Sequence, residues 1–397
     1  MNKEIKKLYE IASKPSRKII GLMSGTSLDG LDIALCKFTG SGKNTDLELQ
    51  AFETISYSSD FKNNLKEVFA RETVSLQKIC LLNPWVAKQH AGMILDFLTR
   101  NSISAGEIDI IASHGQTIYH APKSFHGQKG FGNATLQIGD GDHLAQLTGI
   151  ITLSDFRQKH IAAGGEGAPL AMYADYLLGA NDKQHVALLN IGGIANFTYI
   201  PAGSRFNEIT CTDTGPGNTL MDGYLSANKI GYNYDAGGQI ARQGKVNDAL
   251  LQTFLAHPFF SLPLPRTTGP ELFSQDYISA AINTVALTLS TEDIMATLNM
   301  LTAKTITKAL KLADKTSALQ TLYISGGGIH NEFLIENIKS QLPGVKVTSS
   351  AEIGLDPDAK EAILFALLAN ECLCVDSREA TDEKYPWVSM GKISLPG

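Results

Sequence analysis

The chain contains no Cys-x-x-Cys pair, no His-Glu-x-x-His run and no unbroken apolar stretch of the roughly 18 residues that a membrane helix needs. The five cysteines (Cys36, Cys80, Cys211, Cys372, Cys374) therefore read as reduced and structural. No structural zinc site is expected, although His114, His120 and His126 are evenly spaced. The opening MNKEIKKLYEIASKPSRK lacks an apolar core of signal-peptide length, which points to a cytoplasmic protein. Excess positive charge is missing too. With a formal net charge of −6, the chain does not offer the clustered Lys and Arg on which nucleic-acid affinity rests. Nor is there the composition of disorder: 43% hydrophobic and 19% charged residues belong to a folded protein, and 397 residues suffice for two cores.

What is present alternates. The first dozen residues read as a short amphipathic helix, residues 19–38 as a hairpin, and Leu47–Ser56 as the next strand of a meander. Asn64 to about Arg100 reads as helix, IDIIASHGQTIYH as a buried strand ending in a polar turn, and Ala168–Leu178 as helix. At His185 the pattern restarts with a second glycine-turned hairpin, HVALLNIGGIANFTYI. A long helix from Asp293 to about Leu312, the strand and glycine corner TLYISGGGIHN, and the late helix AKEAILFALLANECL follow. This order specifies an α/β protein. The two hairpins suggest similar βββαβα halves, 1–184 and 185–372, facing one another across a ligand cleft. Residues 373–397 are then free to pack back on the first half.

Both hairpin turns are unusual for their small polar residues. Ser24, Gly25, Thr26 and Ser27 can offer hydroxyls and successive backbone N–H groups to phosphate oxygens. Asp29 and Asp32 would repel a bare phosphate but suit one that carries Mg²⁺, whose ligands are carboxylate and water. The competing reading is a loop merely capped by Ser and Asp. The second turn, Asn190 to Asn196, has glycines and no carboxylate, so an acidic and a neutral turn together can grip a polyphosphate. Asp213, in TDTGPGN, is either a turn former or a general base. Ser325–Asn331 closes a strand with three glycines, as expected where an adenosine lies against backbone. Two lookalikes are set aside. Phe38–Asn44 resembles a P-loop but lacks its first glycine and has Asn44 at the magnesium-binding position, and Gly139–Asp142 lacks the Glu of a calcium loop.

In this order, GLMSGTSLDGLD, SHGQT, LQIGD, SDFR, AAGG-GAPL, LNIGGIAN, DTGPGN-LMD, TTG-ELF, SGGG-HN and EA--FA-LA resemble the anhydro-N-acetylmuramic acid kinases of the sugar kinase/Hsp70/actin superfamily, over nearly the whole chain from Ile20. The resemblance implies two actin/Hsp70-like (ribonuclease H-like) domains and an ATP- and Mg²⁺-dependent enzyme of cell-wall recycling. Such an enzyme opens the 1,6-anhydro ring with water and phosphorylates O6. By motif position, Ser24, Gly25, Thr26, Ser27, Leu28, Asp29, Gly30, Leu31 and Asp32 would hold ATP phosphates, with Asp29 near magnesium. Asn190, Gly192 and Gly193 would form the second phosphate turn, and Gly326, Gly327 and Gly328 would face adenosine. Asp213 would be the base, and His114, Arg157, His160, Glu166 and Glu361 would lie on the sugar side. A homodimer that closes around ATP is also implied. Five positions depart from the family pattern: Gln158, Lys159 and His160 stand for Arg-Arg-Asp, Glu166 for Gln, and Gly237 for Asp. His160 and Glu166 motivate one alternative, a kinase of a related amino sugar; a second, of another class, is a silent ATP-binding sensor of muropeptide fragments. Retention of Asp213 and both carboxylates of the first turn weighs against a sensor.

Overall fold

A computed structural model describes residues 1–25, 27–228, 230–269, 271–375 and 386–397. The chain forms two compact units, residues 1–178 with 359–397, and residues 179–358. Unit 1 contains β1 (Ser16–Ser24), β2 (Gly30–Thr39), β3 (Asp46–Ser56), β4 (Ile110–Ala121), β5 (Ala134–Ile138) and β6 (Thr152–Ser154). Unit 2 contains β7 (His185–Ile191), β8 (Ile194–Ile200), β9 (Thr210–Pro216), β10 (Leu319–Ser325) and β11 (Lys346–Ser349); β12 (Lys392–Ser394) returns to unit 1.

The two sheets share one plan. In unit 1 the order is β12-β6-β4-β1-β2-β3, with β5 on β4. In unit 2 it is β11-β10-β7-β8-β9. Each has three antiparallel strands joined by hairpins, then a fourth and fifth strand running parallel to the first. The expected pair of actin/Hsp70-like βββαβα halves is therefore present. Strands β1 and β7 are the central ones, and their near-continuous apolar runs are buried on both faces, as parallel pairing requires.

Two expectations need correction. The single helix expected from Asn64 to Arg100 is two, Ser59–Lys66 and Leu76–Arg100. Between them Ala70 adopts a left-handed φ of 53° and its N–H bonds the carbonyl of Ile118 at 2.8 Å, tying the chain to β4. Ser75 then caps the second helix through the Lys78 N–H. Pro84 lies inside that helix, and the adjacent Asn83 straps the LQIGD corner, with Oδ1 accepting from Gly139 N–H at 2.9 Å. The second correction concerns the late helix, Lys360–Cys374, which the sequence placed in the second half. It belongs to unit 1. It packs on β1, β2 and β4, and Gly21 in β1 is there because any side chain would overlap the carbonyl of Ala362.

Candidate functional site

Unit 1 brings the first glycine turn, the end of β4, the Phe156–Ala162 helix, the 164–167 loop and the start of the late helix into one region; their side chains hydrogen-bond or interact electrostatically. The turn between β1 and β2 sorts its own residues. Leu28 and Leu31 are buried in the unit 1 core, and a side chain at Gly30 would meet the Ile55 carbonyl at 2.5 Å. These three anchor the turn from beneath. Gly25, Ser27, Asp29 and Asp32 retain solvent contact, and Thr26 lies outside the described residues. Ser24 departs from expectation. It is 2% exposed, and its hydroxyl donates to Gln116 Oε1 while accepting from Tyr57. A hydroxyl engaged in both directions has no proton for a phosphate. Asp32 accepts from Thr54 at 2.6 Å, whereas the exposed Asp29 carboxylate makes no hydrogen bond among the described residues. Asp29 thus fits a hard cation that keeps most of its water.

The proposed sugar-side residues form a connected set. Arg157 donates from Nε to His114 Nε2 at 3.0 Å and from Nη1 to the Gly167 carbonyl at 2.7 Å, leaving Nη2 without a partner among the described residues. Burial pushes its pKa down to about 10, with Glu361 opposing. His114 is held well below the usual imidazole range, first by burial and then by Arg157, so it stays neutral and accepts the Arg157 hydrogen bond. Glu361 keeps an exposed surface although protein surrounds it. Loss of solvation raises its pKa, the Asp32 charge adds to this, and Arg157 and Lys360 oppose it.

His160 is sealed from solvent. The ring is 0% exposed, and its Nδ1 accepts the Gly167 N–H at 2.9 Å. Gly165 has no side chain because one would overlap that ring. Its Nδ1 thus helps to shape the loop, while its buried Nε2 has no partner among the described residues. Glu166 is the half-exposed side chain between these two anchored glycines.

In unit 2 the turn between β7 and β8 is welded to the turn after β9. The Gly193 carbonyl accepts from Gly217 and Thr219, and the Gly192 carbonyl accepts from Asn218. A side chain at Gly193 would meet Thr219 Oγ1 at 2.7 Å, while one at Gly192 would find only loose contacts at 3.6 Å. The three glycines after β10 also divide. Gly326, with φ of 79°, lies 2.6 Å from Asn190 Oδ1 by its missing Cβ, and Gly328 is closed by Ile191, so both are packing glycines. Only Gly327 has open space beside it. Gly237, with φ of 64°, has room for a side chain beside Gln239.

Asp213 sits in β9. Its Oδ2 accepts the Thr268 N–H at 2.8 Å, and its Oδ1 has no hydrogen-bond partner among the described residues. Burial raises its pKa to about 6, against the Thr268 N–H and the Arg266 charge. Arg266, 6% exposed, is spent on carbonyls of Phe259, Leu262, Thr214 and Asp213 and sits over the Phe259 ring. It braces the segment that presents Thr268. The sequence reading did not assign Arg266 or Thr268, though Thr268 lies within the TTG-ELF run. It also passed over Asp222, whose pKa rises to about 6 through burial and then the like charge of Asp235. The P-loop lookalike at Phe38–Asn44 does hold an anion, but an internal one: the Gly42 N–H donates to both oxygens of Glu371, at 2.9 and 3.2 Å.

No helix among the described residues is long and apolar enough to cross a membrane, and no cluster of three or more metal-ligating side chains occurs among them. A sequence profile described as anhydro-N-acetylmuramic acid kinase matches residues 17–376. Curated relatives bearing that name include one from Pseudoalteromonas atlantica, 51% identical over 400 residues and the full length of both chains. Another, from Pseudoalteromonas translucida, is 48% identical over the full length of both. A third, from Caldanaerobacter subterraneus, is 38% identical over 98% of this chain and 100% of its own.

Proposed function

The chain belongs to the anhydro-N-acetylmuramic acid kinase family, and from that premise we propose that it converts 1,6-anhydro-N-acetylmuramic acid, water and ATP into N-acetylmuramic acid 6-phosphate and ADP during cell-wall recycling. The single observation that carries the mechanism is Asp213, a carboxylate with one oxygen fixed by Thr268 and the other unpartnered among the described residues. In the proposed step Asp213 takes a proton from water as the water oxygen bonds C1. The C1–O6 bond breaks, its electron pair stays on O6, and O6 bonds the γ-phosphorus as ADP leaves. A base with a pKa near 6 is mostly ionised at neutral pH yet still a competent proton acceptor.

The remaining residues bind and orient. Backbone of the first turn would hold phosphates, as would Gly192 and Gly193, and Gly327 would lie on the nucleoside side. Asp29 would hold Mg²⁺ through water; the ion, when bound, neutralises phosphate charge. Arg157, His114, Glu166 and Glu361 would surround the sugar. Cytoplasmic action, a homodimer and closure around ATP are part of the proposal on family grounds, with neither nucleic acid nor membrane as partner.

The test is to incubate protein, ATP and the anhydro sugar and weigh the product. A sugar heavier by one water and one phosphoryl group is expected; a product lacking the water, or ATP binding without product, would favour the other-sugar or sensor alternatives. The pH profile gives a second check. Because the base must be ionised, kcat/KM should rise with pH through about 6 and then level off. A profile flat between pH 5 and 8 would remove Asp213 from that role. Asp29→Ala should raise the Mg²⁺ concentration needed for half-maximal rate by about tenfold, through loss of a carboxylate that holds the ion by its water. An unchanged requirement would take Asp29 out of the metal site.

A further inference from the structure

We propose that Tyr57 is a positioning residue for nucleotide binding, a two-point clasp across the first phosphate turn whose side chain is oriented by His90 and whose pull is passed to the turn through Ser24 and Gln116. The inference rests on the reading of that turn as a phosphate site. Tyr57 follows β3, and its backbone N–H donates to the Asp29 carbonyl at 3.0 Å, on the far leg of the turn. Its phenol donates to Ser24 Oγ at 2.6 Å, on the near leg. One residue therefore spans the five-residue interval from Ser24 to Asp29 and holds both ends.

The protons along this path have one consistent order. The phenol proton goes to Ser24, so the phenol oxygen accepts from the His90 Nε2–H, 2.9 Å away in the Leu76–Arg100 helix. Burial lowers the His90 pKa to about 4, which keeps the ring neutral. Ser24 in turn donates to Gln116 Oε1, and the Gln116 amide donates to the carbonyls of Gly25 at 3.3 Å and Thr117 at 3.1 Å. Each group uses its donor, so turning any one of them around would strand a buried polar atom. The ring of Tyr57 is also fixed, stacked on Phe61 at 3.9 Å between centroids, and it is 5% exposed. Gly25 itself has almost nothing beside it, the nearest atom to a built Cβ being Ser27 Oγ at 3.7 Å. With no side chain of its own to pack, Gly25 needs its carbonyl held from behind if the turn is to keep its N–H groups convergent on an anion. The Tyr57–Ser24–Gln116 path supplies that hold.

Tyr57→Phe keeps the ring, the stacking and the backbone bond to Asp29 and deletes one hydroxyl. Affinity for a non-hydrolysable ATP analogue, titrated calorimetrically with Mg²⁺, should fall about tenfold, while KM for the anhydro sugar stays within twofold. His90→Phe should reproduce the loss. His90→Gln, which still offers an N–H to the phenol, should recover most of it. If Tyr57→Phe lowers Tm but leaves analogue affinity within twofold of wild type, the residue is structural only and the proposal fails. It also fails if wild-type protein does not bind the analogue. If the analogue binds but no sugar is phosphorylated, the catalytic reading fails while this one stands on the affinity ratios.

Discussion

Asp213→Asn is expected to lower kcat by roughly 10²–10⁴-fold, the usual worth of a general base, while ATP affinity stays within about twofold. Asparagine keeps an oxygen for the Thr268 N–H, so the local geometry survives and the loss isolates proton transfer. The same substitution should stabilise the fold. The pKa of Asp213 rises from 3.8 to about 6 on burial, so the folded chain disfavours the ionised form. Below the ordinary carboxylate range both folded and unfolded chains are protonated and no cost arises. The cost grows as pH passes from that range to about 6, then stays constant, reaching on the order of 3 kcal/mol. Removing the charge should therefore raise Tm by a few degrees at pH 7.5 and leave it unchanged at pH 3. Equal melting of variant and wild type at both pH values would show that the carboxylate is not held in a costly state. Near-normal turnover would show that it is not the base.

Arg157→Met carries the second large effect. The guanidinium donates two hydrogen bonds, to His114 Nε2 and to the Gly167 carbonyl. Each acceptor left without its donor costs about 1–3 kcal/mol, so the variant should lose roughly 2–5 kcal/mol of stability. Function should suffer more specifically. Glu361 loses an opposing positive charge and is driven further toward its protonated form, and the loop bearing Glu166 loses one of its ties. Misplacing such groups by about 1 Å is enough for a 10²-fold loss, so kcat/KM for the sugar should fall by at least that factor with ATP analogue affinity little changed. Retention of sugar kcat/KM within threefold would detach Arg157 from substrate positioning. Equal losses on sugar and nucleotide would indicate a general defect of unit 1.

Fold class was legible because it is written in local signals. Apolar strands of the right length, glycine turns and helical spacing gave most elements close to their observed places, as at Thr291–Ala313 and Leu319–Ser325. The errors arose where distance along the chain hides distance in space. Nothing near residue 360 says that its helix will seat on Gly21, and nothing near residue 70 says that Ile118 will pull the backbone out of helix. The candidate site behaved likewise. Residue types suited to phosphate chemistry marked the glycine turns, but types alone do not say which face outward. Leu28, Gly30 and Leu31 point into the core, Gly326 and Gly328 are closed by Asn190 and Ile191, and His160 is sealed. Tyr57 and His90 gave no signal, since an aromatic after a strand and a histidine on a helix are ordinary core residues until their partners are known.

Because unit 2 is a continuous segment and unit 1 is split around it, the order of synthesis and the order of completion differ. A ribosome finishes residues 179–358 before it makes the helix that covers β1 or the strand that pairs with β6. The half of the molecule begun first must therefore wait, its central strand lacking that cover, while the half begun second already has every residue it needs. Until then the uncovered face of β1, rather than anything in unit 2, is the apolar surface left open to mispairing.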